Sequence, residues 1–560
     1  MAKRLVLLFI IILVFVIGGW GIWEARRFVS YPTFFAFFGI ENWQVWEFHD
    51  YFALDPQDIT VIWNDRRLAD LGRGADSIER PLERNNTAWF SYNFVREFID
   101  PFIFWDESVR TLFHSDLKEV SPVDDTTFFS GTGDMPWVPL EFLKERYQAD
   151  ISVYWVQSTV IFSTPENYGS GASVTARTAN MRYRPDSTAF IAQRLERGTN
   201  LRVFNEEGDY IRVRTDEGLL GYVLISDIEY TGIMQFPVPD ISNNFPDTHT
   251  VPLPISLTWE MITAPVGNAT AMQNPLPQGL TVISPTWFNF DVYAPDGTLI
   301  SYASREYVEW AHSHNVAVWA KVFDTNHDIS HEILTNYHAR QHVITQLINF
   351  VEEYRLDGIN INFEHIRPAV GRYYVQFLRE LAPEMRRVGA VLSVATFVPA
   401  PWFAHYHHDL IGQTVDFVAI MTYDEHFGGS PEPGPVASLP FVRRSIENTL
   451  ELIPREKVLM GLPFYNRIWR VAPNGSHTST LHGMARPWVF LQEHSVTPVW
   501  DGEAGSYYAN FLYGLYTYRI WIECERSIGE KLRIFRENNL AGVAGWRRGL
   551  ETPEVWEVIG

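Results

Sequence analysis

The sequence predicts an α/β fold for residues 253–560, with eight strands and eight helices closed into a (β/α)8 TIM barrel. Short runs rich in Val, Ile and Leu alternate there with amphipathic helical patterns along the whole segment. The runs show little polar alternation, which is typical of parallel strands that are buried on both faces. A doubly wound open sheet is the alternative, but no Gly-rich phosphate loop opens any of the predicted helices. We therefore expect the barrel.

The composition limits the classes of protein to consider. The chain has 560 residues, of which 46% are hydrophobic and 20% charged, and this balance indicates several folded domains. A formal net charge of −22 argues against a nucleic-acid partner, because phosphates would be repelled. Cys524 is the only cysteine, so no intramolecular disulfide can form, and no His/Cys cluster has zinc spacing. We expect neither a metal nor a cofactor.

The N-terminal residues 1–27 are predicted to form a membrane anchor. Lys3 and Arg4 precede the uncharged segment 5–23, which is long enough to cross a hydrocarbon core of ~30 Å as a helix. A cleaved signal peptide, and hence secretion, is the alternative. It would have a shorter apolar region and a small-residue cleavage site. We expect a single-pass anchor in the cell membrane with the remaining domains outside the cell.

Residues 28–170 are predicted to form a small α+β repeat domain. Residues 88–113 echo residues 136–162, because in both a Trp precedes a helical pattern that changes to period-two alternation. The pattern resembles the small N-terminal domain of copper amine oxidases. The region has no His cluster, so the copper chemistry does not come with the resemblance. We expect a stalk.

Residues 171–232 change to short strands separated by turn signals. "NMRYRPD" is typical of an opening strand and turn, and "LLGYVLISDI" of a closing strand. The segment resembles a bacterial SH3-like domain, a small all-β barrel, and the resemblance implies binding of a cell-wall polymer. A spacer without a ligand is the open alternative. The Pro-rich residues 233–252 are predicted to be a linker.

The predicted fourth barrel strand carries the clearest chemical motif, "LDGININFE" at residues 356–364. Side chains of a strand alternate between its two faces, so residues 360, 362 and 364 point together into the barrel. Active-site groups of such barrels sit at the carboxyl ends of the strands. Other polar and aromatic residues end later strands, namely Tyr423, Asp424, Tyr465 and Trp546.

These motifs resemble glycoside hydrolase family 18, nearest its bacterial spore-germination and cortex-lytic branch. Asp357 and Glu364 match the family signature D-x-x-D-x-D-x-E, while Asn360 and Asn362 stand where two aspartates are usual. "IMTYDEHF" is similar to the family's Met-x-Tyr-Asp strand, and "GVAGWRRGLETPEVW" to its eighth strand. The resemblance covers the whole C-terminal half of the chain.

The resemblance implies a glycosidase that acts on a GlcNAc-containing glycan, such as peptidoglycan or chitin. In such enzymes the 2-acetamido oxygen of the sugar attacks C1, and one carboxylic acid protonates the leaving oxygen. The implied catalytic residues are Glu364 as the acid, with Asn362, Tyr423 and Asp424 around the acetamido group. The implied substrate-binding residues are Asn360, Tyr465, Trp287 and the floor tryptophan Trp546, while Asp357 and Gly358 have structural roles in the motif.

Asn362 is the main departure from the family pattern. An amide can accept a hydrogen bond from the acetamido N–H, but it supplies no negative charge to the oxazolinium ion that forms. A catalytically impaired protein that binds cell wall or chitin is therefore the alternative to an active hydrolase.

Overall fold

The chain is described here by a computed structural model, which gives residues 45, 60–63, 65–67, 81–84, 87–115, 120–123, 129–130, 135–147, 150–154, 159–163, 170–233, 251–324 and 326–560. The chain divides into two compact units, which are residues 1–100 with 125–244, and residues 101–124 with 245–560. The predicted anchor and most of the predicted linker lie outside the described residues. No helix in the described part of the chain combines the length and the apolar character of a membrane span.

Eight parallel strands close into a barrel, which confirms the predicted (β/α)8 fold. Each strand pairs with its neighbours in sequence, and the eighth strand pairs with the first. The strands are β1 (Ile255–Glu260), β2 (Val282–Pro285), β3 (Ala317–Phe323), β4 (Gly358–Asn362), β5 (Val391–Thr396), β6 (Phe417–Ile420), β7 (Val458–Pro463) and β8 (Gly542–Trp546).

Helices alternate with these strands. They are α1 (Val266–Met272), α2 (Arg305–Ser313), α3 (His327–Thr335), α4 (Tyr337–Tyr354), α5 (Gly371–Arg387), α6 (His408–Thr414), α7 (Leu439–Leu450), α8 (Arg486–Glu493), α9 (Glu525–Glu537) and α10 (Glu554–Ile559). The main apolar core joins one face of the strands to the helices, as where Ile359 and Ile361 of β4 share a cluster with Val343 and Leu347 of α4. The opposite face of β4 is therefore left for the barrel interior.

An insertion separates β7 from β8. It contains α8 and a five-stranded antiparallel sheet. The strands of this sheet are Tyr465–Val471, His477–Gly483, Val499–Asp501, Ser506–Tyr513 and Tyr516–Ile522. A short hairpin of Phe288–Phe290 and Leu299–Ser301 also extends the barrel sheet beside β3.

A segment from far upstream belongs to the same unit as the barrel. Its three antiparallel strands are Phe104–Asp106, Thr111–Ser115 and Val120–Val123. The guanidinium of Arg340 on α4 is wholly buried and bonds the carboxylates of Asp106, at 2.6 Å, and Glu380, at 3.0 Å. The Phe113 ring stacks on Tyr337, with centroids 5.4 Å apart. Part of the predicted 28–170 domain therefore packs into the core of the barrel unit.

The other unit contains the rest of the predicted repeat domain and the SH3-like segment. Each repeat has the expected order of helix and hairpin, with a strand before the helix, as in Thr87–Ser91 followed by Tyr92–Phe98 and in Pro136–Pro139 followed by Leu140–Tyr147. Further strands of this unit are Thr60–Trp63, Arg66–Arg67, Leu82–Arg84, Phe129–Ser130, Asp150–Tyr154 and Thr159–Ser163.

The SH3-like segment is all-β, as the sequence predicts. Its seven antiparallel strands are Ser170–Val174, Thr178–Arg182, Ile191–Glu196, Asn200–Glu207, Tyr210–Thr215, Leu220–Leu224 and Ile228–Ile233. They enclose an apolar cluster that includes Met181, Leu195 and Val213. This cluster is the apolar core of the segment.

Candidate functional site

A cavity of about 980 Å³ lies at the carboxyl ends of the barrel strands. Five of the residues predicted from the sequence line it together, namely Asn362, Glu364, Tyr423, Asp424 and Trp546. Aromatic and cationic side chains complete the wall, among them Phe397, Trp402, Phe403, Phe427, Arg444 and Arg467. The cavity is thus where barrel enzymes place their chemistry.

Glu364 stands just beyond the end of β4, and its side chain is exposed to the cavity. The two preceding inward residues, Asn360 and Asn362, are buried. The alternation predicted from the sequence therefore ends in a carboxyl group that a bound glycan can reach. This is the placement that a proton donor requires.

Asn360 lies below the cavity, and both ends of its amide are used by the fold. Its oxygen accepts a hydrogen bond from the Trp259 indole N–H at 3.0 Å, and its nitrogen donates to the Ser393 hydroxyl at 2.9 Å. That hydroxyl in turn donates to the Ile359 carbonyl. The Trp259 indole N–H needs an acceptor and the Ser393 oxygen needs a donor. An ionised aspartate could supply the acceptor but not the donor. Asn360 does not line the cavity, in contrast to its predicted role in substrate binding.

Asn362 is buried but lines the cavity. Its amide nitrogen donates to the Ala395 carbonyl of β5 at 3.3 Å. This bond fixes which way the amide faces and leaves the amide oxygen for the cavity. A carboxylate in the same position would place an oxygen against the Ala395 oxygen, and neither atom could donate.

Tyr423 and Asp424 follow β6. Burial raises the pKa of Tyr423 well above its usual range, and the charges of Glu364 and Asp424 raise it further, so its hydroxyl stays a hydrogen-bond donor at neutral pH. Asp424 has a left-handed backbone with φ of 57°, and its carboxylate lies 3.4 Å from the Arg467 guanidinium. A Cβ at Gly461 would lie 2.6 Å from the Ile420 carbonyl oxygen and 2.9 Å from the Tyr423 ring, so this glycine makes room for both.

Lys321 is a cavity residue that the sequence reasoning missed. Its ammonium lies 4.5 Å from the ring centroid of Trp546. Burial lowers the pKa of Lys321 to about 8, although the charges of Glu364 and Asp324 oppose the shift. The available signal was a single lysine within the otherwise apolar run "VAVWAKVF", because an isolated charge is rarely buried without a partner.

Asp357 and Gly358, for which the motif implies structural roles, make close contacts at the start of β4. The Asp357 carboxylate accepts hydrogen bonds from the backbone N–H of Val318 and pairs with the His312 ring, both at 2.7 Å. A Cβ on Gly358 would lie 2.7 Å from the Val391 carbonyl, so no larger residue fits. Both residues sit at the start of β4, away from the cavity end.

Two predicted binding residues do not reach the cavity. Trp287 is fully buried and donates its indole N–H to Asn268 at 2.8 Å, so it is a core residue. Tyr465 is also buried, with its ring centroid 6.2 Å from that of Tyr423, and it packs behind the cavity wall.

Within the described residues, no group of three or more His, Cys, Asp or Glu side chains could hold a metal ion.

Comparison with known proteins assigns two segments. The model of glycosyl hydrolases family 18 matches residues 288–551, and the bacterial SH3 domain model matches residues 175–229. Neither covers residues 28–170, so the resemblance of that region to copper amine oxidases stays a prediction. β1 and β2 precede the family 18 match but complete the same barrel.

Related proteins are similar over part of the chain. The uncharacterized glycosylase YvbX of Bacillus subtilis is 26% identical over 306 residues, which are 52% of this chain and 88% of that protein. The cortical fragment-lytic enzyme of Bacillus subtilis is 26% identical over 235 residues, which are 40% of this chain and 54% of that enzyme. The solved spore cortex-lytic enzyme SleL of Bacillus cereus has 21% identity and a TM-score of 0.49 over 55% of this chain and 73% of that one.

The matches identify residues 288–551 as a family 18 glycosyl hydrolase domain, as the strand motifs predicted. The barrel domain is therefore that of a glycosidase, an enzyme that hydrolyses O-glycosyl bonds. The bacterial SH3 domain that was predicted ahead of the barrel is also confirmed.

Proposed function

We propose that the barrel hydrolyses a GlcNAc-containing polysaccharide, such as peptidoglycan or a chitin-like glycan, by substrate-assisted retention. The observation that carries the proposal is the convergence of Glu364, Asn362, Tyr423 and Trp546 on one cavity. The name of the cortical fragment-lytic relative favours cell-wall glycan as the substrate.

Each cavity residue has a role in this reaction. Glu364 protonates the glycosidic oxygen as the acetamido oxygen attacks C1, and later accepts a proton from the water that opens the oxazolinium ring. The Asn362 amide oxygen accepts the acetamido N–H, and the Tyr423 hydroxyl donates to the acetamido oxygen. Trp546 forms the apolar floor under the sugar. Asp424 completes the wall on the Tyr423 side.

The second candidate is a barrel that binds glycan without cleaving it. The observation that favours it is the charge of the cavity. Two amides replace the usual aspartates, and the Lys321 ammonium lines the same cavity as Asn362, so the site offers a cation near the place where an oxazolinium would form. The hydrolase remains the stronger proposal because Glu364 itself is retained and accessible.

The location of the enzyme follows from the other segments. We propose that residues 5–23 hold it in the cell membrane, so that the SH3 domain and the barrel reach the wall outside. The SH3 domain is proposed to bind a wall polymer and to raise the local concentration of substrate at the barrel. In a fractionation experiment the full chain should stay with membranes after alkaline carbonate extraction, whereas native protein shortened by about 25 residues in the medium would indicate a cleaved signal.

Hydrolysis is tested with the chain lacking residues 1–27, incubated with purified peptidoglycan and with chitooligosaccharides, and followed by released reducing ends. Glu364→Gln keeps the shape but removes the transferable proton, so activity should be lost while glycan binding is kept. Glu425→Gln is the matched control, because Glu425 lines the same cavity but its carboxylate is bonded to Ser438. It should retain most of the activity. Clear binding without turnover in the unsubstituted protein would support the binding candidate instead.

A further inference from the structure

The backbone that carries Glu364 is held by one side chain from the neighbouring strand. Asp324 directly follows β3, and 96% of its surface is buried. Its carboxylate accepts the backbone N–H of Glu364 at 2.8 Å with one oxygen and that of His365 at 2.8 Å with the other. The same carboxylate accepts the Ser330 hydroxyl at 2.9 Å and lies 3.0 Å from the His365 ring nitrogen.

These contacts occur where the strand ladder stops. The register of β3 and β4 ends with Phe323 opposite Asn362, so the next N–H groups of the β4 chain have no ladder partner. A buried, unpaired backbone N–H is costly, and the Asp324 carboxylate supplies the missing acceptors. Four hydrogen bonds also use the full acceptor capacity of the group, so it has little freedom to move.

We propose that Asp324 is the positioning residue for the proton donor: it fixes the backbone at Glu364 and His365, so that the Glu364 carboxyl meets the glycosidic oxygen. The inference rests on the proposed hydrolase function, since it assigns the acid to Glu364. The two backbone bonds carry the effect; the Ser330 hydroxyl and the His365 ring are further partners of the carboxylate that the effect does not need.

Asp324→Asn tests this role, because an amide can accept only one of the two backbone N–H groups and turns its own N–H towards the other. We expect kcat to fall on the order of 10²-fold, because a small displacement of a catalytic group lowers the rate by about this factor. KM should stay almost unchanged. Amide hydrogen exchange of a peptide spanning residues 361–368 should become faster. A kcat within twofold of the unsubstituted enzyme, or a raised KM with kcat kept, would overturn the proposal.

The double variant Ser330→Ala/His365→Ala is the matched control, since it removes both side-chain partners and leaves the two backbone bonds. Its kcat and exchange rate should stay close to those of the unsubstituted chain. A loss in this variant as large as that expected for Asp324→Asn would overturn the assignment to the backbone bonds, even if Asp324→Asn does not fold. If the unsubstituted chain has no activity, the proposed function fails. Unchanged exchange in Asp324→Asn would then separately refute the proposed role of Asp324.

Discussion

Replacing Asn362 by aspartate tests how the cavity stabilises positive charge. The new carboxylate would face the acetamido group, which is neutral in the bound sugar and cationic once the oxazolinium ion forms. Two unit charges about 4 Å apart attract by about 4 kcal/mol at an effective dielectric constant of 20. Lys321 lines the same cavity and would share that carboxylate, so only part of the attraction reaches the sugar. If about 1.4 kcal/mol remains, kcat rises about 10-fold.

The substitution also lowers the stability of the fold, and by the same amount with and without bound substrate. The Asn362 nitrogen no longer donates to the Ala395 carbonyl, and an unpaired buried acceptor destabilises a fold by about 1–3 kcal/mol. This loss should lower the melting temperature and leave kcat unaffected. Sugar affinity, measured in a Glu364→Gln background so that the glycan is not cleaved, should change little.

Asn360→Asp is the matched control for this experiment, because the same chemical change is made two residues earlier on β4. Asn360 does not line the cavity, and its amide nitrogen is needed by the Ser393 hydroxyl. The Asn360→Asp substitution should lower the stability of the fold without raising kcat. A fall or no change in kcat for Asn362→Asp would refute the reasoning and show that the site depends on the amide.

Three further predictions concern stability. Arg340→Met leaves the buried carboxylates of Asp106 and Glu380 uncompensated, so the free energy of unfolding measured in denaturant should fall by about 3–5 kcal/mol. A fall of less than about 1 kcal/mol would mean that the upstream segment does not stabilise the barrel. Burial lowers the pKa of His408 from 6.5 to about 4, so the folded state should lose up to roughly 3 kcal/mol as the pH falls through this window. In His408→Gln the melting temperature should depend less on pH between pH 7 and pH 4. An unaltered dependence of the melting temperature on pH would contradict this. Burial lowers the pKa of Lys321 from 10.5 to about 8, so the cost of its charge is fully present below pH 8 and disappears as the pH rises to 10.5. Lys321→Met should therefore stabilise the barrel at pH 7 by up to roughly 3 kcal/mol and much less at pH 10.5, which urea unfolding at both values would check.

The sequence predicted the barrel and five of the residues that line the cavity, because the signals are local. Buried parallel strands are continuous apolar runs, and period-two alternation along β4 is enough to place Asn362 and Glu364 on the inner face. The later strand ends brought Tyr423, Asp424 and Trp546 to the same cavity. None of these placements needs knowledge of distant contacts.

Other features depend on partners that the local pattern does not name. Trp287 lies just after β2, but an aromatic residue there can turn to either face, and a hydrogen bond to Asn268 keeps it in the core. Asp324 binds the backbone at Glu364 across 40 positions of sequence. From the sequence, the segment 101–124 looks like part of the upstream repeat, and long-range contacts such as its buried ion pair with α4 assign it to the barrel unit.

The two amides and Lys321 are best understood as one arrangement. Asn360 must be an amide because Trp259 donates to it and Ser393 accepts from it. Asn362 donates to a backbone carbonyl, so neither position supplies a counter-charge to the buried ammonium. The charges that act on Lys321 are those of Glu364 and Asp324. In the proposed reaction the cavity therefore offers the oxazolinium cation no carboxylate at either amide position, and the Asn362 oxygen is the group left to accept the acetamido N–H.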